Sequence, residues 1–211
     1  MDFNTNLDPT LRSLLGGAGV CAFIGAIFLF IVVIAVVGHR RARAIQASWV
    51  AWAGARGVAL TGHYPMVQIT GTLHGVGVQV VTHKFVRRHN RRTSTSYKHE
   101  VIATPLVPIG DLTLSREGFF ASIGKTFGGQ DIQTGDPAFD AAFVVRSSNE
   151  HAARAVLTPT VCAALLEAQR ALGEVHVESG GVRTMRQGTA SPDTIDGLLD
   201  AVARAALAFG R

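Results

Sequence analysis

The residues best suited to chemistry in this sequence are two aspartates, Asp136 and Asp140, which share a short block with Gly135, Phe139 and Phe143. Two carboxylates four positions apart could act as a general acid and a general base, as in a hydrolase. A Gly-Asp-Pro sequence is also typical of a turn, in which the aspartate accepts hydrogen bonds from nearby backbone amides. We favour the turn, with Phe139 and Phe143 anchoring the start of a core strand or of a short turn.

The whole block, Gly-Asp-x-x-Phe-Asp-x-x-Phe-x-Val, resembles a segment of bacterial single-pass membrane proteins whose function is uncharacterised. In those proteins a membrane helix precedes a cytoplasmic domain that carries the block and a later helix rich in leucine. The likeness extends over most of residues 44–207, including the Leu165-Leu166 region. It implies a membrane topology and a fold, and it implies no particular activity. The matching residues are Gly135, Asp136, Phe139, Asp140, Phe143 and Val145.

The histidines and cysteines are not spaced as metal ligands. The sequence has eight His and two Cys, but no His-x-x-x-His and no Cys-x-x-Cys pattern. Cys162 falls in a predicted helix without a fixed His or acid partner, so we predict a packed thiol and not a nucleophile. We therefore assign no catalytic residue, no metal site and no cofactor. The alternative is a membrane-tethered hydrolase that uses Asp136, Asp140 or His151 in a cleft.

The strongest concentration of charge is a basic cluster of six residues within 15 positions, which we place at the tip of a long hairpin. Each Lys or Arg near an anionic leaflet contributes about 1 kcal/mol, so the cluster favours contact with a membrane surface. Nucleic acid is the less favoured partner, because single strands also need stacking aromatics and only Phe85 and Tyr97 lie nearby. A solvated tip without a partner is the remaining alternative. The cluster consists of Lys84, Arg87, Arg88, Arg91, Arg92 and Lys98.

Residues 13–38 carry no charge, and this run is long enough to cross the hydrocarbon core of a membrane as a helix. A cleaved signal peptide is the alternative, but its leader should be basic, and the leader here has two Asp and one Arg. The predicted location is the cell (inner) membrane. The flanking arginines predict the orientation, with the N-terminus outside and the C-terminal domain in the cytoplasm. They are Arg12 before the run and Arg40, Arg41, Arg43 and Arg56 after it.

The first half of this predicted membrane helix has two rows of small residues at fourfold spacing. Rows of this kind let two membrane helices approach closely, which is a known pattern of self-association. Glycine and alanine are also common in membrane helices that do not associate. The rows therefore predict a homodimer or a membrane-protein partner as one alternative, through Gly17, Ala18, Cys21, Ala22, Gly25 and Ala26.

Composition and patterning predict a folded domain after the membrane helix. Apolar residues make up 47% of the chain and charged residues 17%, which excludes a disordered protein, and two Cys exclude a disulfide framework. The order of strands, helices, hairpin and helix predicts an α+β fold, an antiparallel β-sheet with packed helices and a C-terminal helix. Four segments result: an extracytoplasmic tail (1–12), a transmembrane helix (13–38), a basic juxtamembrane helix (39–58) and a cytoplasmic α+β domain (59–211).

Within the domain, alternation with a period of two predicts strands, and apolar residues at helical spacing predict helices. Thr158-Pro159 and Ser191-Pro192 each supply an N-cap followed by a first-turn proline, and Gly180-Gly181 predicts a hairpin turn. The predicted strands cover residues 67–73, 76–80, 97–107, 112–114 and 139–145; the helices cover 149–157, 159–172 and 192–207; the hairpin covers 174–186.

Overall fold

The computed structural model describes residues 9–89, 92–116, 130–178 and 180–210. It opens with α1 (Pro9–Arg56), an unbroken helix of 48 residues. The basic segment predicted as a juxtamembrane helix at 39–58 continues the apolar helix as far as Arg56, because the alanines and arginines that follow Gly38 are good helix formers. The helix ends at Gly57, whose φ of 65° is the left-handed conformation that commonly terminates helices.

The part of α1 from Ala22 to Arg56 is long and apolar enough to cross a membrane, with a mean hydropathy of 2.7 in a window that is 0% buried inside the structure. Large apolar side chains are exposed along it, such as Phe23, Phe28 and Phe30 at 66–68% exposure. The small residues from Gly17 to Ala26 lie in this helix. The chain divides into two compact units at Ala47 and Ser48, and we call the second unit the domain.

Within the described residues, the domain is built on a sheet of nine strands, and each pair of neighbouring strands is antiparallel. Its order is β1-β2-β3-β4-β9-β8-β5-β7-β6. The strands are β1 (Ala59–His63), β2 (Met66–Leu73), β3 (Val76–His89), β4 (Arg92–Thr104), β5 (Thr113–Ser115), β6 (Gln130–Asp131), β7 (Val144–Ser147), β8 (His176–Glu178) and β9 (Gly181–Gln187).

Four further helices complete the described part of the domain: α2 (Pro137–Ala142), α3 (Glu150–Val156), α4 (Pro159–Leu172) and α5 (Pro192–Ala208). Helix α5 packs on β3, β4 and β9, and α4 packs on α5. Alternate residues of the strands are buried beneath α5, including Val80, Val101 and Val182 at 0% exposure. This arrangement confirms the predicted α+β class with an antiparallel sheet and a C-terminal helix.

The last turns of α1 belong to the domain core. Trp49 is fully buried, and the indole Nε1 of Trp52 donates to Oδ1 of Asp196 on α5 at 3.0 Å. Arg56 forms an ion pair with the same carboxylate. Since Asp196 receives both groups, it fixes the end of α1 against α5.

Several strand boundaries differ from those predicted. The segment 139–145, predicted as a strand, is the short helix α2 followed by β7, because Asp136 and Pro137 start a helix. Strand β1 was not predicted. Strand β3 extends beyond the predicted end at 80, and β4 begins before the predicted start at 97. In the last hairpin Gly181 is the first residue of β9, with a φ of 127°, and not part of the turn.

Candidate functional site

Asp136 is the N-cap of α2. Its Oδ1 accepts hydrogen bonds from the amides of Ala138 at 2.9 Å and Phe139 at 3.3 Å. The preceding Gly135 has a φ of 87°, a conformation that glycine adopts without strain. The carboxylate thus satisfies amides that the first turn of a helix leaves without partners.

Asp140 binds the loop that leads into the same helix. Its carboxylate accepts from the amide of Thr134 at 2.9 Å, the hydroxyl of Thr134 at 2.8 Å and the amide of Gly135 at 3.1 Å. Partial burial alone would raise the pKa of Asp140, but these hydrogen bonds and the charge of Arg154 outweigh it and hold the pKa below its ordinary value. Both aspartates therefore accept local hydrogen bonds.

The aromatic members of the block belong to the core. Phe139 is fully buried, Phe143 is 3% exposed, and their ring centroids lie 4.9 Å apart. Cys162 on α4 is also buried, and burial followed by the negative charges of Asp136 and Asp140 raises its pKa to about 11. A thiol with this pKa is protonated at neutral pH and is a poor nucleophile. His151 is exposed on α3.

The basic cluster lies on the hairpin of β3 and β4. Strand β3 pairs with β2 only as far as Val81, and β4 pairs with β9 only from Lys98. The pairs from Lys84↔Tyr97 to His89↔Arg92 consequently form a ribbon without a third strand. At about 3.4 Å per residue this ribbon is roughly 20 Å long. Arg92 begins β4, and Arg91 lies outside the described residues.

The register divides the ribbon into two faces, because directly paired residues point to the same side and successive residues alternate. One face, which we call the Phe85 face, continues from Val81 and Glu100. The other, the Val86 face, continues from the buried pair Thr82 and His99. The Phe85 face consists of His83, Phe85, Arg87, Ser94, Ser96 and Lys98; the Val86 face consists of Lys84, Val86, Arg88, Thr93, Thr95 and Tyr97.

Both faces combine positive charge with an exposed apolar side chain. Phe85 is 43% exposed and Val86 is 52% exposed. The ammonium group of Lys98 lies 5.2 Å from the centroid of the Phe85 ring, within the range of a cation–π contact. The structure thus places Lys84, Arg87, Arg88 and Arg92 in the ribbon and Lys98 at its base. Arg87 and Lys98 share one face, whereas Lys84 and Arg88 share the other.

The root of the hairpin is fixed by His99, which is 2% exposed. The hydroxyl of Thr82 donates to the carbonyl of Val67 at 2.8 Å, and Nδ1 of His99 lies 3.0 Å from the same hydroxyl oxygen. Nε2 lies 3.0 Å from the carbonyl oxygen of Gly188 and 3.2 Å from the amide nitrogen of Ala190. Burial lowers the pKa of His99, against a smaller opposing effect of the carbonyl of Gly188. One imidazole therefore connects β2, β3, β4 and the segment before α5.

Beside the root, the face of the sheet away from α5 has a chain of ion pairs. Glu100 accepts from His83 at 3.1 Å and from Arg183 at 3.2 Å, and Arg183 also pairs with Glu178 at 3.1 Å. The Glu100 side chain is only 13% exposed, which indicates that its neighbours enclose it. Glu100 and Glu178 thus share the positive charge of Arg183.

The sequence interpretation did not identify the group formed by Thr82 and His99, or the Glu100 ion pairs. Both join residues that are far apart in sequence, so spacing gives no signal. A weak signal was present in Thr82 and His99 themselves, since each is a polar residue that continues an otherwise apolar alternation toward the core. The exposed pair Phe85 and Val86 could have been found as two apolar residues among basic ones.

The described residues contain no group of three or more His, Cys, Asp or Glu side chains placed to hold a metal ion. The carboxylates of Asp136 and Asp140 are occupied by backbone amides, whereas Lys84, Arg87 and Arg88 are exposed to solvent. The ribbon is accordingly the candidate site, and the chemistry it offers is the binding of anions. No protein-family model, curated protein or solved structure matches the chain.

Proposed function

We propose that this chain is a single-pass membrane protein whose domain is a non-catalytic binding module in the cytoplasm. In this proposal α1 spans the cell membrane with the N-terminus outside, and the basic ribbon binds an anionic leaflet. The Arg bias around the apolar run supports the orientation. The resemblance of the Gly135–Val145 block to bacterial single-pass membrane proteins agrees with the same topology.

The observation that carries the proposal is the state of the ribbon's cations. Within the part of the chain that the structure describes, Lys84, Arg87 and Arg88 are exposed and form no ion pair. Some arginines elsewhere in the described domain, such as Arg183, form ion pairs and others, such as Arg170, form none, but the ribbon groups three unpaired cations within five positions. These three charges form no ion pair within the described fold, so they are available to bind an anionic ligand.

A membrane surface fits this site better than nucleic acid does. Each Lys or Arg near an anionic leaflet contributes about 1 kcal/mol, and a membrane anchor raises the effective concentration of the surface. Single-stranded nucleic acid needs free aromatic faces for stacking. On the ribbon, Tyr97 is half-buried and the ring of Phe85 already has Lys98 over it.

A reporter fused after Arg211 tests the topology. We expect activity from a reporter that works only in the cytoplasm and none from one that works only outside, because of the Arg bias. The matched control moves Arg40, Arg41 and Arg43 to the N-terminal side of the apolar run, which should invert or mix the orientation. Activity of the wild-type fusion outside the cytoplasm would overturn the proposed location of the domain.

Docking is tested with the full chain in nanodiscs of neutral or anionic lipid. Chymotrypsin cleaves after Phe85 and Tyr97, and we expect slower cleavage in anionic nanodiscs that returns to the neutral rate at high salt, since salt screens exposed charges. The variant with Arg87, Arg88, Arg91 and Arg92 changed to Glu keeps both cleavage sites and should lose the protection. Equal cleavage of the wild type in both lipids would overturn docking.

A further inference from the structure

The two faces of the ribbon are not equivalent with respect to a flat surface. The Val86 face continues the side of the sheet on which α5 packs, through Val80, Val101 and His99. A helix layer stands about 10 Å above a sheet, so a flat bilayer that approaches this side meets the helices before it meets Lys84 or Arg88.

The Phe85 face continues the opposite side of the sheet. On that side Gln68, Thr70, Gln79 and Met185 are exposed, so the described part of the chain leaves β2, β3 and β9 uncovered there. A bilayer can therefore lie along the Phe85 face without meeting a helix. The carboxylate of Glu100, which lies on this side, accepts hydrogen bonds from His83 and Arg183, and its side chain is only 13% exposed.

The side chains of the Phe85 face also suit the headgroup layer. Arg87 and Phe85 pair across the ribbon with Ser94 and Ser96, whose small side chains leave the larger ones accessible. Aromatic rings are favoured at the boundary between headgroups and acyl chains, and arginine binds phosphate through paired N–H groups. Lys98, whose ammonium group lies 5.2 Å from the centroid of the Phe85 ring, adds a second cation beside it.

We infer that the Phe85 face is the surface that lies on the anionic leaflet, with Arg87 and Lys98 binding lipid phosphates and Phe85 entering the headgroup layer. The Val86 face then remains in water. This inference rests on the proposed function, because it assigns the face that carries out the docking proposed above.

Two adjacent residues on opposite faces, Ser96 and Thr95, allow a direct test in the full chain. Each is changed to cysteine in a background with Cys21→Ala and Cys162→Ala, labelled with a nitroxide and placed in neutral or anionic nanodiscs. Collision with oxygen, which is enriched in lipid, is compared with collision with a water-soluble nickel complex. We expect the label at Ser96 to become lipid-accessible with anionic lipid only, while the label at Thr95 stays in water.

Matched charge reversals test the energetics in the same nanodiscs. The pair Arg87→Glu and Lys98→Glu should weaken docking by more than roughly 30-fold, because losing two cations at a leaflet alone gives that factor and the two new carboxylates are repelled. The pair Lys84→Glu and Arg88→Glu makes the same change of charge on the other face and should weaken it much less. Thermal melting of both double variants shows that the comparison is made between folded proteins.

The outcomes separate this inference from the proposed function. A lipid-dependent change at Thr95 instead of Ser96, or equal changes at both, would overturn the assignment of the face and leave docking intact. No change at either label in anionic nanodiscs would overturn docking itself. If single-stranded oligonucleotide changes the accessibility of a label in neutral nanodiscs and anionic lipid does not, the ligand of the ribbon is nucleic acid and not lipid.

Discussion

The Gly135–Phe143 block and the β3–β4 ribbon both concentrate charged residues, but they use the charge in opposite ways. In the block, two carboxylates accept five hydrogen bonds, of which four come from backbone amides and one comes from a hydroxyl. In the ribbon, the cations of Lys84, Arg87 and Arg88 extend into solvent. A charged group whose bonds are all made within the fold serves stability, and a charged group that makes none is available to a partner.

This contrast shows why residue type alone is a poor guide to a functional site. Asp136 and Asp140 have the side chains of a catalytic pair, yet each is turned toward amides of its own loop. The basic cluster differs, because its charge alone already indicates a surface for membrane contact, with a solvated tip as the alternative. The contrast can be tested, because substitutions in the block should change the free energy of unfolding and substitutions at the tip of the ribbon should not.

The largest loss is expected from Phe139→Ala. Phe139 is fully buried against Phe143, and removing a buried phenylalanine costs about 3–5 kcal/mol of the free energy of unfolding. Chemical denaturation of the full chain in detergent measures the change. A loss below 1 kcal/mol would show that the block is not part of the cooperative core.

Asp140→Ala should cost about 1–3 kcal/mol, because it leaves the amides of Thr134 and Gly135 without their acceptor. Asp140→Asn is the matched control and should cost less, since the amide oxygen still accepts. The lowered pKa means that the ionised form is favoured in the folded state, so its contribution is present above the ordinary value of 3.8 and is lost as pH falls through the folded pKa. The difference between wild type and Asp140→Asn should accordingly shrink in acid.

Asp136→Ala should cost about 0.5–2 kcal/mol, the usual range for a lost N-cap. Asp136→Asn keeps an oxygen acceptor for the amides of Ala138 and Phe139 and should be milder. Melting curves of the two variants give the comparison. If both variants melt like the wild type while a cellular phenotype is lost, Asp136 has a role that its capping contacts do not explain.

The root of the ribbon should behave like the block. Because the pKa of His99 is lowered, the neutral form is favoured in the folded state, and its contribution is fully present above the ordinary value of 6.5 and is lost as pH falls below it. We expect a lower unfolding midpoint at pH 5.5 than at pH 7.5. In His99→Gln this dependence on pH should be reduced, and an unchanged profile would exclude His99 as its source.

The smallest effect on stability is expected at the tip. Changing Arg87 and Arg88 to Glu should alter the free energy of unfolding by no more than about 0.5 kcal/mol, because exposed residues without specific contacts contribute little. The same variant should weaken docking to anionic lipid. A large loss of stability would show that these arginines do belong to the fold, and it would break the contrast with the block.

Local signals in the sequence were sufficient for most helices. Thr158-Pro159 and Ser191-Pro192 were interpreted as N-caps with first-turn prolines, and α4 and α5 begin there. Asp136-Pro137 is the same signal and starts α2, but the short apolar spacing of Phe139 and Phe143 was taken for a strand. A cap followed by proline is thus stronger evidence than apolar spacing over so few residues.

The sheet was predicted less completely because its boundaries depend on partners that are distant in sequence. The alternation of apolar residues in β3 stops after Val80, where β2 and α5 no longer cover it, yet the strand continues to His89 because β4 pairs with it. The position of the basic cluster on a hairpin was anticipated. Its division into two faces follows from the register, which the polar residues of the ribbon do not specify.

The end of α1 has a practical consequence for spectroscopy. The chain contains two tryptophans, and both lie in this segment, with ring centroids 5.8 Å apart at an interplanar angle of 84°. Trp49 is buried and Trp52 donates to Asp196. Intrinsic fluorescence of the protein is therefore a local gauge of the contact between this segment and α5. Emission that shifts to longer wavelength before far-ultraviolet dichroism is lost would reveal release of this segment as a step separate from melting of the sheet.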